Sequence, residues 1–398
     1  MRPSSQIRWS PRTGGVPAEG DVVLLGGTAP GAVAWDDDGT TSQDGEGAVR
    51  RMMTGARLVH RLWGALGGVL AATPERCEPD PGPRPGGEPP SVGDAARHTG
   101  AFDALAPDDR AAVDAVLARV PGERHREWVL AARAAGSRPA VLGRFADRIA
   151  ALGAGALPGV LDPTSAHVTA LRTSGGGRPL RQSTATTCGS AALVVAWMLA
   201  DPVRALRVLD GFDATTGTAD PAGATADGIA SRFRREELEV QARTASPAGR
   251  SSGSGSRSRV GVPWPRSLGT APWGASREMT DIAGDPRTRY RVVVVDPGSA
   301  AQVRRLHGEV VRAVGAGLAV PLYTGSEAVP RHVVLAVGQE PDGRLRLFDP
   351  ATGGVTRIGE DGLVAGGDGL RRAASWPRLW AAIVPRAVGP ADPGTTLS

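Results

Sequence analysis

Gln182-Ser-Thr-Ala-Thr-Thr-Cys188-Gly189-Ser-Ala-Ala-Leu-Val-Val-Ala-Trp197-Met-Leu-Ala200 decides how this chain is read. Small polar residues lead into a segment that is apolar almost all round. The first half reads as a loop. The second has the make-up of a buried central helix, stopped by Asp201-Pro202 because a residue before proline avoids helical geometry. Cys188 stands at the junction, with Gln182 six residues before it. A thiol at a helix N-terminus meets the positive end of the macrodipole and unpaired backbone N–H groups. Both favour the thiolate, which is the nucleophilic form. Such a thiolate needs a base, a group that orients the base, and an oxyanion donor.

The base is sought among six histidines, His60, His98, His125, His167, His307 and His332. His332 opens the strand pattern Arg331-His-Val-Val-Leu-Ala-Val-Gly338, and Asp349 closes the pattern Arg344-Leu-Arg-Leu-Phe-Asp349. Glu340-Pro-Asp-Gly343 between them is good turn chemistry. A hairpin folded about residues 340–341 sets His332 directly opposite Asp349. One folded about 341–342 makes them diagonal neighbours on one face, still within side-chain reach. A one-residue slip would put them on opposite faces. An aspartate there can hold one imidazole nitrogen and leave the other for a thiol. The other histidines are poorer choices. His307 is internal to a helix beside Arg304 and Arg305, with no acid in view. His167 has only Asp162 near it in sequence. His60, His98 and His125 fall in linker or helical surface patterns.

Outside these segments the pattern changes along the chain. Residues 1–100 read as a largely disordered extension with a candidate helix at 52–72, and residues 74–99 as a Pro/Gly-rich linker. Helical patterns start near 106, 122 and 138, Ala166–Arg172 has the look of a strand, and further helices are expected at 202–209 and 226–240. Residues 244–262 are Ser/Gly/Arg-rich and read as a flexible insertion. Then strands are expected at 290–296, 318–323, 331–338, 344–349 and 380–385, with a helix at 300–316. Pro321 places its strand at an edge or a bulge. A helical half followed by an antiparallel half is an α+β arrangement.

Composition narrows the function. Gly 55 and Pro 33 make up about a fifth of 398 residues, so unstructured segments are expected. The net charge is +5, yet the chain has no lysine and no asparagine. A GC-rich coding bias accounts for that better than phosphate recognition. The arginines are scattered among 41 acidic residues without a basic stripe, which leaves nucleic-acid binding unsupported. Cys77 and Cys188 form no Cys-x-x-Cys or zinc spacing, so no metal and no cofactor is expected. No apolar run approaches the ~20 residues of a membrane span. Met1-Arg-Pro-Ser-Ser-Gln6 has no apolar core, which favours a cytoplasmic location. A start at Met52 or Met53 would instead give an export signal, with Arg57 and Arg61 before a short apolar stretch.

Gln182-x5-Cys188-Gly189-x-Ala191-x-Leu193, then His332-Val-Val-Leu335, then Phe348-Asp349-Pro350-Ala351-Thr-Gly353, resembles papain-like cysteine peptidases. The likeness covers roughly 165–385 and is greatest to the branch with the bacteriocin-processing peptidases, which cut after a double glycine in leader peptides. The resemblance implies a papain-like domain at 101–390, with a central nucleophile helix packed on an antiparallel sheet. It implies Cys188 as nucleophile, His332 as general base and acid, and Asp349 as orienter. Gln182 would be the oxyanion donor, aided by the Cys188 N–H. A peptide or protein is the implied substrate. Two other outcomes fit the same residues: an acyltransferase or transamidase, and a peptide-binding module without catalysis. Thr187 and Arg331 depart from the family, which often has an acidic and a small residue there. The family's exporters carry a fused membrane transporter, and this chain has no transmembrane segment or P-loop.

Overall fold

A computed structural model of the protein describes residues 105–245, 269–285 and 288–387. The expected extension over 1–100 with its helix at 52–72, most of the 244–262 insertion, Cys77, His60 and His98 lie outside the described residues.

Proline punctuates the helical half. α1 (Pro107–Leu117) and α3 (Pro139–Ala150) open on proline, which loses no helical hydrogen bond at that position. α2 (Glu123–Ala134) lies between them, and α4 (Leu157–Leu161) follows. Residues 166–172 are not a strand. They form a short helix, α5 (Ala166–Ala170). The Ser165 hydroxyl accepts the Val168 N–H at 3.3 Å, and the Asp162 side chain takes the Thr164 N–H at 2.7 Å. This capping chemistry outweighs the alternating pattern that suggested a strand.

α6 (Cys188–Ala200) is the helix expected from the sequence, buried from Cys188 through Ala196. Asp201 caps the next helix, α7 (Pro202–Leu209), by accepting the Val203 N–H at 2.9 Å. A two-strand ribbon, β1 (Phe212–Asp213) with β2 (Thr218–Ala219), leads to α8 (Ala226–Ala245). That helix runs five residues past its expected end, so Thr244 and Ala245 belong to it and not to an insertion. After residue 268, α9 (Pro272–Ala283) ends on Gly284 at φ +65°. Sequence patterning did not find α9.

Six strands make one sheet: β3 (Thr288–Val294), β4 (Val320–Gly325), β5 (Pro330–Gln339), β6 (Leu345–Asp349), β7 (Gly354–Ile358) and β8 (Arg378–Ala387). Their order is β3-β8-β4-β5-β6-β7, and every neighbouring pair is antiparallel. α10 (Ala300–Gly315) follows β3, while α11 (Glu360–Ala365) and α12 (Gly367–Ala374) lie between β7 and β8. β4 is interior and not at an edge. Its ladder to β8 begins at Leu322, one residue after Pro321, and its register breaks at Tyr323/Thr324. The proline thus sits where β8 asks nothing of its missing N–H.

Both faces of the sheet are covered. On one, Tyr323, Val333, Leu335, Phe348 and Trp380 pack on α6 and on residues of α8 and α9. On the other, Val320, Leu322, Val334, Leu345 and Leu347 pack on α10, α11 and α12. A third cluster joins α1–α4 to Val203 and Leu206 of α7. The architecture is mixed helix and sheet, as an α+β reading requires, with a second helical layer of which α10 was expected from the sequence and α11 and α12 were not.

Candidate functional site

The β5–β6 ladder fixes the first two groups. Leu335 pairs with Phe348 and Ala336 with Leu347. Continued, that register sets Asp349 beside Val334, two residues from His332, which is the diagonal arrangement. His332 Nε2 and Asp349 Oδ1 are 2.7 Å apart. The β4–β5 register shifts beside this pair. Thr324 pairs with His332 and Gly325 with Pro330, so Arg331 has no partner across the strand. A bulge of this kind re-aims neighbouring side chains. Arg331 is exposed while His332 is buried.

Cys188 starts α6 and is 2 % exposed. It lies close enough to the His332 ring to act on its protonation. Nε2 is taken by Asp349, which leaves Nδ1 for the sulfur. Burial alone would discharge the imidazole, but the hydrogen bonds and charges of Asp349 and Cys188 prevail, and the ring is pushed up to about 9. Burial likewise opposes charge on Asp349. Its bonds to His332, to Ser375 and to the Ala351 N–H hold it below the ordinary carboxyl value.

Ser375 was invisible to sequence reasoning. Its hydroxyl donates to Asp349 Oδ2 at 2.7 Å. It terminates α12 at φ +65°, the one non-glycine at positive φ among the described residues. A serine in that region carries backbone strain of about 1 kcal/mol or more, and its hydroxyl is the contact made there. Tyr323 was also missed. Buried beside Cys188, it donates its hydroxyl to the Thr270 carbonyl at 3.1 Å. Burial first, and the charge of Cys188 second, push its phenol well above the ordinary value.

Gly269 lies against Cys188 and Thr270 against Gly189. A Cβ on Gly269, which has φ +71°, would sit 2.9 Å from the Thr186 carbonyl and 3.9 Å from Cys188 Sγ. A Cβ on Gly189 would sit 2.6 Å from both Cβ and Oγ1 of Thr270. Gly189→Ala is therefore expected to cost about 1–3 kcal/mol through overpacking, read as a lower denaturant midpoint at unchanged slope.

Gln182 is near but turned aside. Its backbone N–H donates to the Pro350 carbonyl at 2.8 Å, next to Asp349. Its side-chain Nε2 donates to the Thr184 carbonyl at 2.7 Å, while Oε1 is buried without a partner. An amide nitrogen carries two hydrogens, so one remains to meet an oxyanion. The structure thus brings Cys188 beside the hydrogen-bonded His332–Asp349 pair and leaves the Gln182 side chain outside this group.

Two other histidines differ from expectation. His125 is buried, not on a helical surface, with Nε2 3.0 Å from the Leu152 carbonyl. His307 does meet an acid, since Glu360 at the start of α11 lies 3.8 Å from its Nδ1. Burial lowers His307, against the charge of Glu360. Neither histidine approaches a nucleophile. Among the described residues no group of acidic, histidine or cysteine side chains is arranged to hold a metal, and no helix is long and apolar enough to cross a membrane. No family model and no curated protein matches this chain, so the site is read from its own geometry.

Proposed function

We propose that this protein is a cysteine peptidase of papain-like fold, which hydrolyses peptide or amide bonds through Cys188, His332 and Asp349. The observation that carries the reading is the row itself: a buried carboxylate 2.7 Å from one imidazole nitrogen, with a helix N-terminal thiol beside the same ring. A thiolate beside an imidazolium is the nucleophilic form this chemistry uses. The thiolate attacks the carbonyl carbon. His332 protonates the leaving amine, then takes a proton from water so that hydroxide can release the acyl group. The Cys188 N–H, at the start of the first helical turn, would receive the oxyanion, and the Gln182 amide would join it by turning its second N–H toward the sulfur. The nucleophile helix against one face of an antiparallel sheet also supports the papain-like resemblance.

The test is alkylation of Cys188 by iodoacetamide at pH 6, followed by peptide mapping. A free thiol is almost wholly protonated there, so the ion pair should speed the reaction roughly 10²-fold over the His332→Ala variant. Equal rates in the two proteins would reject the ion pair and with it the peptidase.

A further inference from the structure

α8 carries a buried acid that the proposed chemistry does not use. Glu237 is 0 % exposed. Both carboxyl oxygens face the Ser183 N–H, at 3.0 and 3.2 Å. That backbone group is its hydrogen-bond donor, and no arginine among the described residues lies at ion-pair distance. The next acid on the helix contrasts with it, since Glu236 is paired with both Arg204 and Arg207. Burying a carboxyl without a cation is expensive, and an amide or hydroxyl would satisfy one N–H as well.

The place it holds is informative. Ser183 follows Gln182 directly. Gln182's own N–H is fixed on the Pro350 carbonyl at 2.8 Å. Two consecutive amides are therefore clamped from opposite sides, one by α8 and one by the residue after Asp349. With both held, the Gln182 side chain has little freedom to drift from the Thr184 carbonyl. Its second N–H then keeps a fixed direction.

We propose that Glu237 is a positioning residue, which through Ser183 holds the Gln182 backbone where its side-chain amide can reach the oxyanion. The inference rests on the peptidase reading. Positioned donors cost no reorganisation when charge develops, and a loop that swings loses that advantage before it loses binding.

The experiment measures kcat and KM on an internally quenched peptide library, with iodoacetamide alkylation of Cys188 in parallel. Glu237→Ala should lower kcat about 10- to 100-fold, part of the about 10²–10³-fold that one oxyanion donor supplies. KM and the alkylation rate should hold, because alkylation develops no oxyanion. Glu237→Gln, which keeps an acceptor for Ser183, should recover most of the loss. In a Gln182→Ala background, Glu237→Ala should add less than about twofold, since residues acting through one another are not additive. Full additivity there, or a fall in alkylation equal to the fall in kcat, would overturn the assignment. Should Glu237→Ala fail to fold, Glu237→Met fills similar volume without an acceptor and carries the same comparison. Library cleavage identical in wild type and Cys188→Ala overturns the peptidase reading and this inference together, whereas Cys188-dependent cleavage with additive Glu237 effects overturns the inference alone.

Discussion

Cys188→Ala is expected to end peptide cleavage. The sulfur is the one atom in the row able to form the acyl bond, and nothing near it substitutes. Ser190, one helical step inward, bonds Thr270 and is fully buried. Loss of a nucleophile that works as a unit with its base is on the order of 10⁶ in rate, so the variant should sit at the assay floor. A peptide library incubated with each protein and read by mass spectrometry makes the comparison. Cleavage profiles that match between wild type and Cys188→Ala would sink the assignment. The fold should be untouched, because alanine fits the start of α6 and loses only a small buried sulfur.

His332→Ala is expected to cost on the order of 10²–10⁴ in kcat/KM, the range for a positioned acid–base group. It should also remove a feature of the pH profile. In the wild type His332 keeps its proton up to about 9, so activity that needs the imidazolium should decline as pH rises through that value. The variant should lack this decline. Stability follows the same groups. A histidine raised from 6.5 to about 9 contributes fully below 6.5 and loses its contribution as pH climbs to about 9. Asp349, lowered from 3.8, contributes above that value and loses its share as pH falls through its folded value. The two describe one interaction seen from either side and are not to be added. Denaturant midpoints of wild type and His332→Ala should therefore converge above pH 9 and separate near pH 6. Midpoints that stay parallel would show that the pair does not hold its charge as described.

The His332–Asp349 pair was legible because strands alternate and a turn fixes the register to one of few values. The sequence left two pivots open, and the 341–342 pivot is the one adopted near the site. The Cys188 helix was legible from its uniform apolarity and from the Asp201-Pro202 stop. Ser375 was not, because it reaches Asp349 from the end of a short glycine-rich helix 26 residues onward, and nothing in Ala-Ala-Ser-Trp-Pro marks a contact. α5 was misread because Ala-His-Val-Thr-Ala-Leu satisfies a period of two as well as a helix does. β7, α11 and α12 are short and carry many glycines, which blur periodicity. His125 looked like a surface residue because its partner is a backbone carbonyl, Leu152, that no side-chain pattern records. Gln182 took its role from the family resemblance, and a resemblance does not say where an amide points.

His332 and Asp349 are 17 residues apart in the chain and share one hairpin, whereas Cys188 comes from a helix far upstream. Short loops close at lower entropic cost than long ones. During folding the hairpin can therefore set His332 and Asp349 in register early, while the thiol arrives only when α6 docks onto the finished sheet. Until then the sulfur has no His332 ring beside it. Regain of rapid alkylation at pH 6 after dilution from denaturant thus times the docking of the two layers, and it should lag the recovery of strand structure. The reactivity of Cys188 toward alkylation is in that sense a clock for the last assembly step.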